Sequence, residues 1–243
     1  MDKKLKVLLL LGGTSPEREV SKSTGKSVYQ ALLNLNYEII LLDPAYGINQ
    51  PFEAEDYFSE EDFAEISNDN YLDAINLISP SEINVAFLAL HGKYGEDGTI
   101  QSVLELKGIK YTGSKVLSSA LAMDKIMSKI LFDEYNVPTP KYFHFRKDEF
   151  TTDEVNEKIE STFKYPAVVK PNDQGSTVGF TICKSREQLY EAIRLAFEYS
   201  DRILVEEYIP GRELTVAVLD DKALPVLEIR PKHGIYDYEC KYT

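Results

Sequence analysis

Apolar residues in this chain fall into short blocks that alternate between strand-like runs and helical spacing. Residues 6–11 form a continuous branched-and-leucine run that ends in Gly12-Gly13-Thr-Ser-Pro16, which predicts a buried strand entering a glycine turn. Val28, Ala31, Leu32 and Leu35 then recur at i, i+3, i+4 and i+7, the period of a helix. Residues 38–42 predict a second strand, closed by Asp43-Pro44. Residues 85–90 predict a third, ending at His91-Gly92 with a Gly-Glu-Asp-Gly turn at 95–98. Strands alternating with helices predict an α/β arrangement around a parallel sheet. Ligands in such folds collect beyond the carboxyl ends of strands, here residues 12–17 and 91–98.

The pattern changes past residues 112–114, where a boundary is expected. A helix over about 118–132 is stopped by Val137-Pro-Thr-Pro140, and a strand follows at 142–145. Val155, Ile159 and Phe163 mark one further helix, and Leu189, Ile193 and Ala196 another. Between them lie strands ending at Lys170 and spanning 178–183. This segment is α+β in character. From Arg202 the reading turns to sheet: strands at 203–207, 213–219 (Leu214, Val216 and Val218 on one face) and 224–229. The expected division is therefore 1–113, 114–200 and 201–243. No internal repeat or low-complexity stretch is visible.

Charge narrows the functional classes. Between Ser27 and Gly92 there is no Lys or Arg, against twelve Asp and Glu. A surface so acidic is a poor partner for nucleic acid. The stretch 53–73 reads as a solvated face or loop, with Tyr57, Phe58 and Phe63 arguing against full disorder. No apolar run approaches a bilayer span, and residues 5–11 are too short for a signal peptide, so the expectation is a cytoplasmic protein without a membrane partner. Cys183 and Cys240 are far apart and match no metal spacing, as do the scattered histidines.

Candidate chemistry centres on Lys170. It closes the run Tyr165-Pro-Ala-Val-Val-Lys-Pro171, and Gly175-Ser-Thr-Val-Gly179 follows. A compact ammonium beside a small-residue loop rich in backbone donors suits phosphate oxygens. The order is not that of a P-loop, in which the glycines precede the lysine. Val205-Glu-Glu-Tyr-Ile209 ends a strand just before Pro210-Gly211. A strand that frays there leaves backbone groups free to read an adenine edge, with Tyr208 and Ile209 against its face. Glu213 opens the next strand opposite Leu214 and could reach the same cleft.

Taken together, these segments resemble the ATP-grasp superfamily and, within it, the D-alanine–D-alanine ligase family. The resemblance runs in order through Leu11-Gly-Gly-Thr-Ser-Pro-Glu-Arg-Glu-Val-Ser21, Ala89-Leu-His-Gly-Lys-Tyr-Gly-Glu-Asp-Gly98, Met123-Asp-Lys125, Val169-Lys-Pro with the 175–179 loop, Glu206-Glu-Tyr-Ile-Pro-Gly-Arg-Glu213 and Tyr236-Asp-Tyr-Glu-Cys-Lys-Tyr242. It implies a pre-ATP-grasp domain with a parallel sheet, then an ATP-grasp fold, and ATP-dependent joining of two D-alanines for peptidoglycan synthesis. It further implies that Lys125 and Lys170 contact ATP phosphates under a loop carrying Gly175, Ser176 and Thr177. Glu206, Glu207, Tyr208, Ile209 and Glu213 would line the adenine–ribose pocket. Glu17 would hold the amine of the first D-alanine with His91 nearby, and Lys241 would face the second carboxylate. Glu17, Ser176 and Tyr242 would form a hydrogen-bonded trio closing the domains, and Tyr242 goes with a dipeptide product. A homodimer through the N-terminal domain is the family's habit.

The chain departs from that pattern after Thr243. Relatives continue, and their continuation carries an Arg for the tetrahedral intermediate and the Asp, Glu and Asn that hold Mg2+, together with the last part of the ATP-grasp fold. The expectation is a truncated ligase whose 243 residues have little activity for lack of metal ligands. The alternative is a non-catalytic nucleotide- or partner-binding module.

Overall fold

The computed structural model describes residues 4–230, which divide into two compact units with the boundary between Ser128 and Lys129. In the first, β1 (Lys6–Leu10), α1 (Arg18–Asn34), β2 (Glu38–Leu42), the short helices α2 (Ala54–Tyr57) and α3 (Tyr71–Asn76), β3 (Val85–Leu88), α4 (Thr99–Leu106) and α5 (Val116–Met123) follow in order. Helix α6 (Lys125–Glu134) crosses into the second unit. There, β4 (Tyr142–Arg146), α7 (Thr152–Thr162), β5 (Ala167–Pro171), β6 (Thr181–Cys183), α8 (Leu189–Phe197) and β7 (Arg202–Glu207) precede the short strands β8 (Glu213–Thr215), β9 (Val218–Leu219), β10 (Lys222–Ala223) and β11 (Leu227–Ile229).

The first unit is the expected parallel sheet, in the order β2-β1-β3. Its central strand is apolar on both faces because both are covered. Leu8 and Leu10 pack with Ala74 and Ile75 of α3 and with Ile100 and Leu104 of α4. Leu9 and Leu11 face the other way, into a cluster with Tyr57 and the flank of α1 at Val28 and Tyr29. Helix α1 begins earlier than its apolar spacing shows. Its buried positions include Arg18, Ser21, Lys22 and Gly25, whereas Leu35 is exposed. Polar residues occupy the core-facing stripe, so a hydrophobic count misses the first half of the helix.

The helix expected over 118–132 is two helices. Asp124 adopts an extended conformation between α5 and α6, and its carboxylate accepts from the Met127 N–H, capping the second helix. In the second unit β4-β7-β5-β6 form an antiparallel sheet. Strand β7 was expected to begin a separate sheet; instead it lies between β4 and β5. Side chains alternate across this sheet. Phe143, Ala167, Val169, Ile203 and Val205 face α7 and α8, where Val155, Ile159, Leu189, Ile193 and Ala196 complete the core at the helical positions the sequence predicts. Tyr142, Val168, Lys170, Leu204 and Glu206 are therefore on the other face. The strands expected over 213–219 and 224–229 are each interrupted. Pro225 has no N–H for a ladder, and the chain forms a β9–β10 hairpin and a β8–β11 pair instead.

Ile159 has no exposed surface. Its truncation to Ala removes packing between α7 and the sheet and lowers stability by about 2–5 kcal/mol. The measurement is the urea midpoint, and a loss below about 0.5 kcal/mol, the range of a surface change, would contradict the packing described.

Candidate functional site

Because β1 and β3 are parallel neighbours, the loops that follow them leave the same end of the sheet. Gly12 and Glu17 come from one loop, His91 and Gly92 from the other. Two hydroxyls join the loops. Ser21 Oγ accepts from the Gly12 N–H and donates to the Ala89 carbonyl, both at 2.8 Å. Ser15 Oγ donates to the His91 carbonyl at 2.7 Å. The His91 ring shares a hydrogen bond between Nε2 and Thr24 Oγ1 at 3.0 Å. Gly92 has φ +68, and a Cβ there would come within 2.9 Å of Glu17 Oε2. Glycine thus permits the Glu17 carboxylate to lie against the His91–Gly92 backbone.

Glu17 is only 4% exposed and sits at the N-cap position of α1, yet its side chain makes no capping bond. Among the described residues none donates a hydrogen bond to that carboxylate or pairs with it. Its oxygens are left to accept from a ligand's donor.

A second carboxylate lies behind this loop. Asp43 accepts from the Gly13 and Ala45 N–H groups at 3.0 and 2.9 Å, and its Oδ2 is 2.8 Å from Arg18 Nη2. Gly12 must be glycine here, since with φ +76 a Cβ would fall 2.0 Å from Asp43 Oδ2. Arg18 also donates to the Gly13 carbonyl, pairs with Asp62 at 2.8 Å and lies over the Tyr46 ring at 5.0 Å. Lys22, almost wholly buried, reaches Asp62 at 2.9 Å and the Ser59 carbonyl at 2.8 Å. Burial disfavours the charged guanidinium of Arg18, but the Asp43 and Asp62 carboxylates more than offset it and raise its pKa. Burial likewise pushes Asp62 upward, and the Lys22 and Arg18 hydrogen bonds outweigh it, leaving Asp62 below the usual carboxylate range. Asp62 lies in the acidic stretch expected to be a solvated face or loop, and it is exposed there like most of residues 53–73, while its carboxylate also pairs with Arg18 and Lys22. A segment without bases must draw its counterions from elsewhere, and α1 supplies them. This pairing leaves no trace in spacing or periodicity.

In the second unit Lys170 projects from β5 and Glu206 from β7, on the sheet face away from the helices. Lys170 Nζ is 2.6 Å from Glu206 Oε2 and remains part exposed. Glu206 is 6% exposed, and its other oxygen is 2.8 Å from Lys129 Nζ, a contact the sequence does not suggest. The 175–179 loop follows β5 as a tight turn. Ser176 and Thr177 both have positive φ, +45 and +60, an uncommon conformation for residues other than glycine. The β7 ladder stops at Glu207; Tyr208 and Ile209 lie beyond it with exposed side chains, and Glu213 opens β8, also exposed.

The structure thus brings Glu17 to His91, and Lys170 to Glu206. Lys125 opens α6 and is counted with the first unit, as is Glu17, whereas Ser176 belongs to the second. Lys241 and Tyr242 lie outside the described residues. Among the described residues no group of three or more His, Cys, Asp or Glu is arranged to hold a metal ion. Glu206, clasped by two ammonium groups, does not fit a cation ligand.

Comparison with known proteins decides the family. Residues 6–114 match the model for the D-ala D-ala ligase N-terminus and residues 131–243 that for the D-ala D-ala ligase C-terminus. The D-alanine–D-alanine ligase of Desulforamulus reducens is 41% identical over 98% of this chain and 70% of its own length. The chain belongs to the D-alanine–D-alanine ligase family. The corresponding ligase of Geobacter sulfurreducens is 43% identical over 99% of the chain and 66% of its own length. A Bacillus anthracis D-alanine–D-alanine ligase crystallised with ATP matches with a TM-score of 0.73 at 32% identity, covering 96% of this chain and 68% of that one. The chain is accordingly a mixed α/β protein of the ATP-grasp type. It spans about two thirds of the length of the curated relatives it matches.

Asp43→Ala leaves Arg18 buried without one of its two carboxylate partners and lowers stability by about 3–5 kcal/mol. The double variant Arg18→Met, Asp43→Leu loses less, and equal losses in urea unfolding would show that the pairing is not what matters. Asp62 gives a signature in pH. Its folded pKa lies below the unfolded value of about 3.9. Its stabilisation is therefore full above that value and is lost as pH falls through the folded pKa. Asp62→Asn is accordingly less stable than the parent at pH 7, and the gap narrows as pH falls below about 4. A gap independent of pH would remove the electrostatic explanation.

Proposed function

We propose that this chain serves the ATP-dependent ligation of two D-alanines to D-alanyl-D-alanine, a step toward peptidoglycan precursors in the cytoplasm. The carrying observation is Glu17, an enclosed carboxylate without a donor, at a strand-end loop in a chain of this family. An amino acid's ammonium group would supply the missing donor, and His91 adjoins the same place.

The chemistry explains the remaining assignments. The carboxylate of the first D-alanine attacks the γ-phosphorus of ATP, ADP leaves, and an acyl phosphate forms. The amine of the second attacks the acyl carbon, phosphate leaves, and the amine's proton is lost. Charge developing on the transferred phosphoryl oxygens calls for positive groups, the role proposed for Lys125 and Lys170. The acyl phosphate is readily hydrolysed, so water must be excluded while it exists. The turn holding Gly175, Ser176 and Thr177 would cover the phosphates to that end. Glu206, Glu207, Tyr208, Ile209 and Glu213 are proposed to line the adenine–ribose pocket, where backbone beyond β7 would meet the adenine edge and carboxylates would accept from ribose hydroxyls. Lys241 and Tyr242 are proposed to meet the second D-alanine, with Tyr242 joining Glu17 and Ser176 in closing the site. Fixing both substrates in reacting geometry supplies much of the rate.

A thermal-shift titration with Mg-ATP, D-alanine and both, followed by phosphate release on the same protein, tests this reading. Mg-ATP at about a hundred times its Kd should stabilise the protein by about 2.7 kcal/mol, and D-alanine should add to that effect. Glu17→Gln should keep the nucleotide effect and lose the D-alanine one. Nucleotide stabilisation without any D-alanine effect would favour a binding module instead of a ligase, and robust phosphate release would overturn the expectation that these 243 residues have little activity. No response to nucleotide would sink both.

A further inference from the structure

Lys129 is a buried ammonium to which the proposed chemistry gives no task. It is 6% exposed and held from three sides: Thr139 Oγ1 accepts from it at 2.6 Å, the Pro140 carbonyl at 3.2 Å, and Glu206 Oε1 lies 2.8 Å away. The Tyr142 ring, directly opposite Glu206 in the sheet, adds a cation–π contact at 5.2 Å. A lysine fixed this firmly cannot itself reach a ligand, but the carboxylate it grips also grips Lys170.

We propose that Lys129 is a positioning residue for nucleotide phosphate: by neutralising Glu206 from the buried side, it leaves the charge of Lys170 available to the ligand. The argument is one of charge. Two ammonium groups around one carboxylate leave one unit of positive charge, and Lys170 is the more exposed of the two. Without Lys129 the remaining Lys170–Glu206 pair is neutral overall. An incoming phosphate then has to draw Lys170 away from an unshared carboxylate 2.6 Å distant. The geometry also fixes where Glu206 points, since Lys129 is anchored by Thr139 and Pro140 as well as by the carboxylate. This inference rests on the nucleotide reading of the Lys170–Glu206 face and assigns it a regulator of charge.

The experiment measures ATP binding by calorimetry and adenosine binding by ligand-observed NMR on the whole chain. Adenosine lacks phosphates, so the ratio of the two affinities isolates what Lys170 does for the phosphates. Lys129→Met should lower that ratio about tenfold, a modest figure for one unit charge near a part-exposed anion site. Lys129→Arg, which keeps the charge, should hold the ratio near that of the parent. The double variant Lys129→Met, Glu206→Gln removes both charges, frees Lys170 and should recover most of the ratio. A purely structural role would weaken ATP and adenosine together and would not be rescued by Glu206→Gln. A Lys129→Met ratio within about twofold of the parent, or a double variant no better than the single one, overturns the proposal while the nucleotide reading stands. If the parent binds neither ligand, the nucleotide reading fails, and this one with it.

Discussion

A carboxylate taken out of water has to be met by a cation or by several N–H donors, because its desolvation costs more than any single neutral contact returns. Both units of this chain are organised around that constraint. In the first, Asp43 is met by Arg18 and by the Gly13 and Ala45 amides, and the same Arg18 reaches Asp62 and the Gly13 carbonyl. The glycine loop after β1 is thereby tied to the end of β2. In the second, Glu206 is met by Lys129 and Lys170, which joins α6 to β5 and β7. Glu17 is the contrast: enclosed to a similar degree, it is left without a donor among the described residues.

The backbone architecture decides which residues can take part. Parallel pairing of β1 with β3 sends both following loops to one end of the sheet, so Glu17 and His91, far apart in sequence, become neighbours. In the antiparallel sheet the two-residue alternation puts Lys170 and Glu206 on the face opposite α7 and α8. Lys170 pairs with Leu204 on the adjacent strand, so Glu206 is its diagonal neighbour on that face. Each sheet has an apolar face that provides stability, and the candidate chemistry sits at a strand end or on the opposite face. A substitution at either place need not disturb the core.

In the proposed reaction, which would make and consume an acyl phosphate, these two arrangements would divide the labour. The Glu17 carboxylate would select a cationic group of the substrate, and the Lys170 ammonium, with its spare charge, an anionic one. Rigidity matters in both cases, because orientation that is built in before binding does not have to be created by the ligand. The buried ion networks supply rigidity of that kind, with Arg18 behind the glycine loop and Lys129 behind Glu206.

By itself the sequence determined the parallel sheet of the first unit, the positions of its strand-end loops, and the apolar faces of α7 and α8, since all of these are read from local period and turn chemistry. The family motifs marked Glu17, His91, Lys170 and Glu206 as a set, which periodicity alone could not have done. Only the tertiary structure decided which charges pair. Arg18 and Lys22 lie on a helix face that hydrophobic spacing overlooks, and Asp62 lies in a stretch whose composition suggests only solvent. Lys129 would pass for a surface lysine, and β7 for the start of a new sheet, until pairing brings β4 and β5 to its two edges. The physical reason is common to these cases. Hydrophobic period is a property of neighbouring residues, whereas the partner of a buried charge is set by strand order and helix placement over tens of residues.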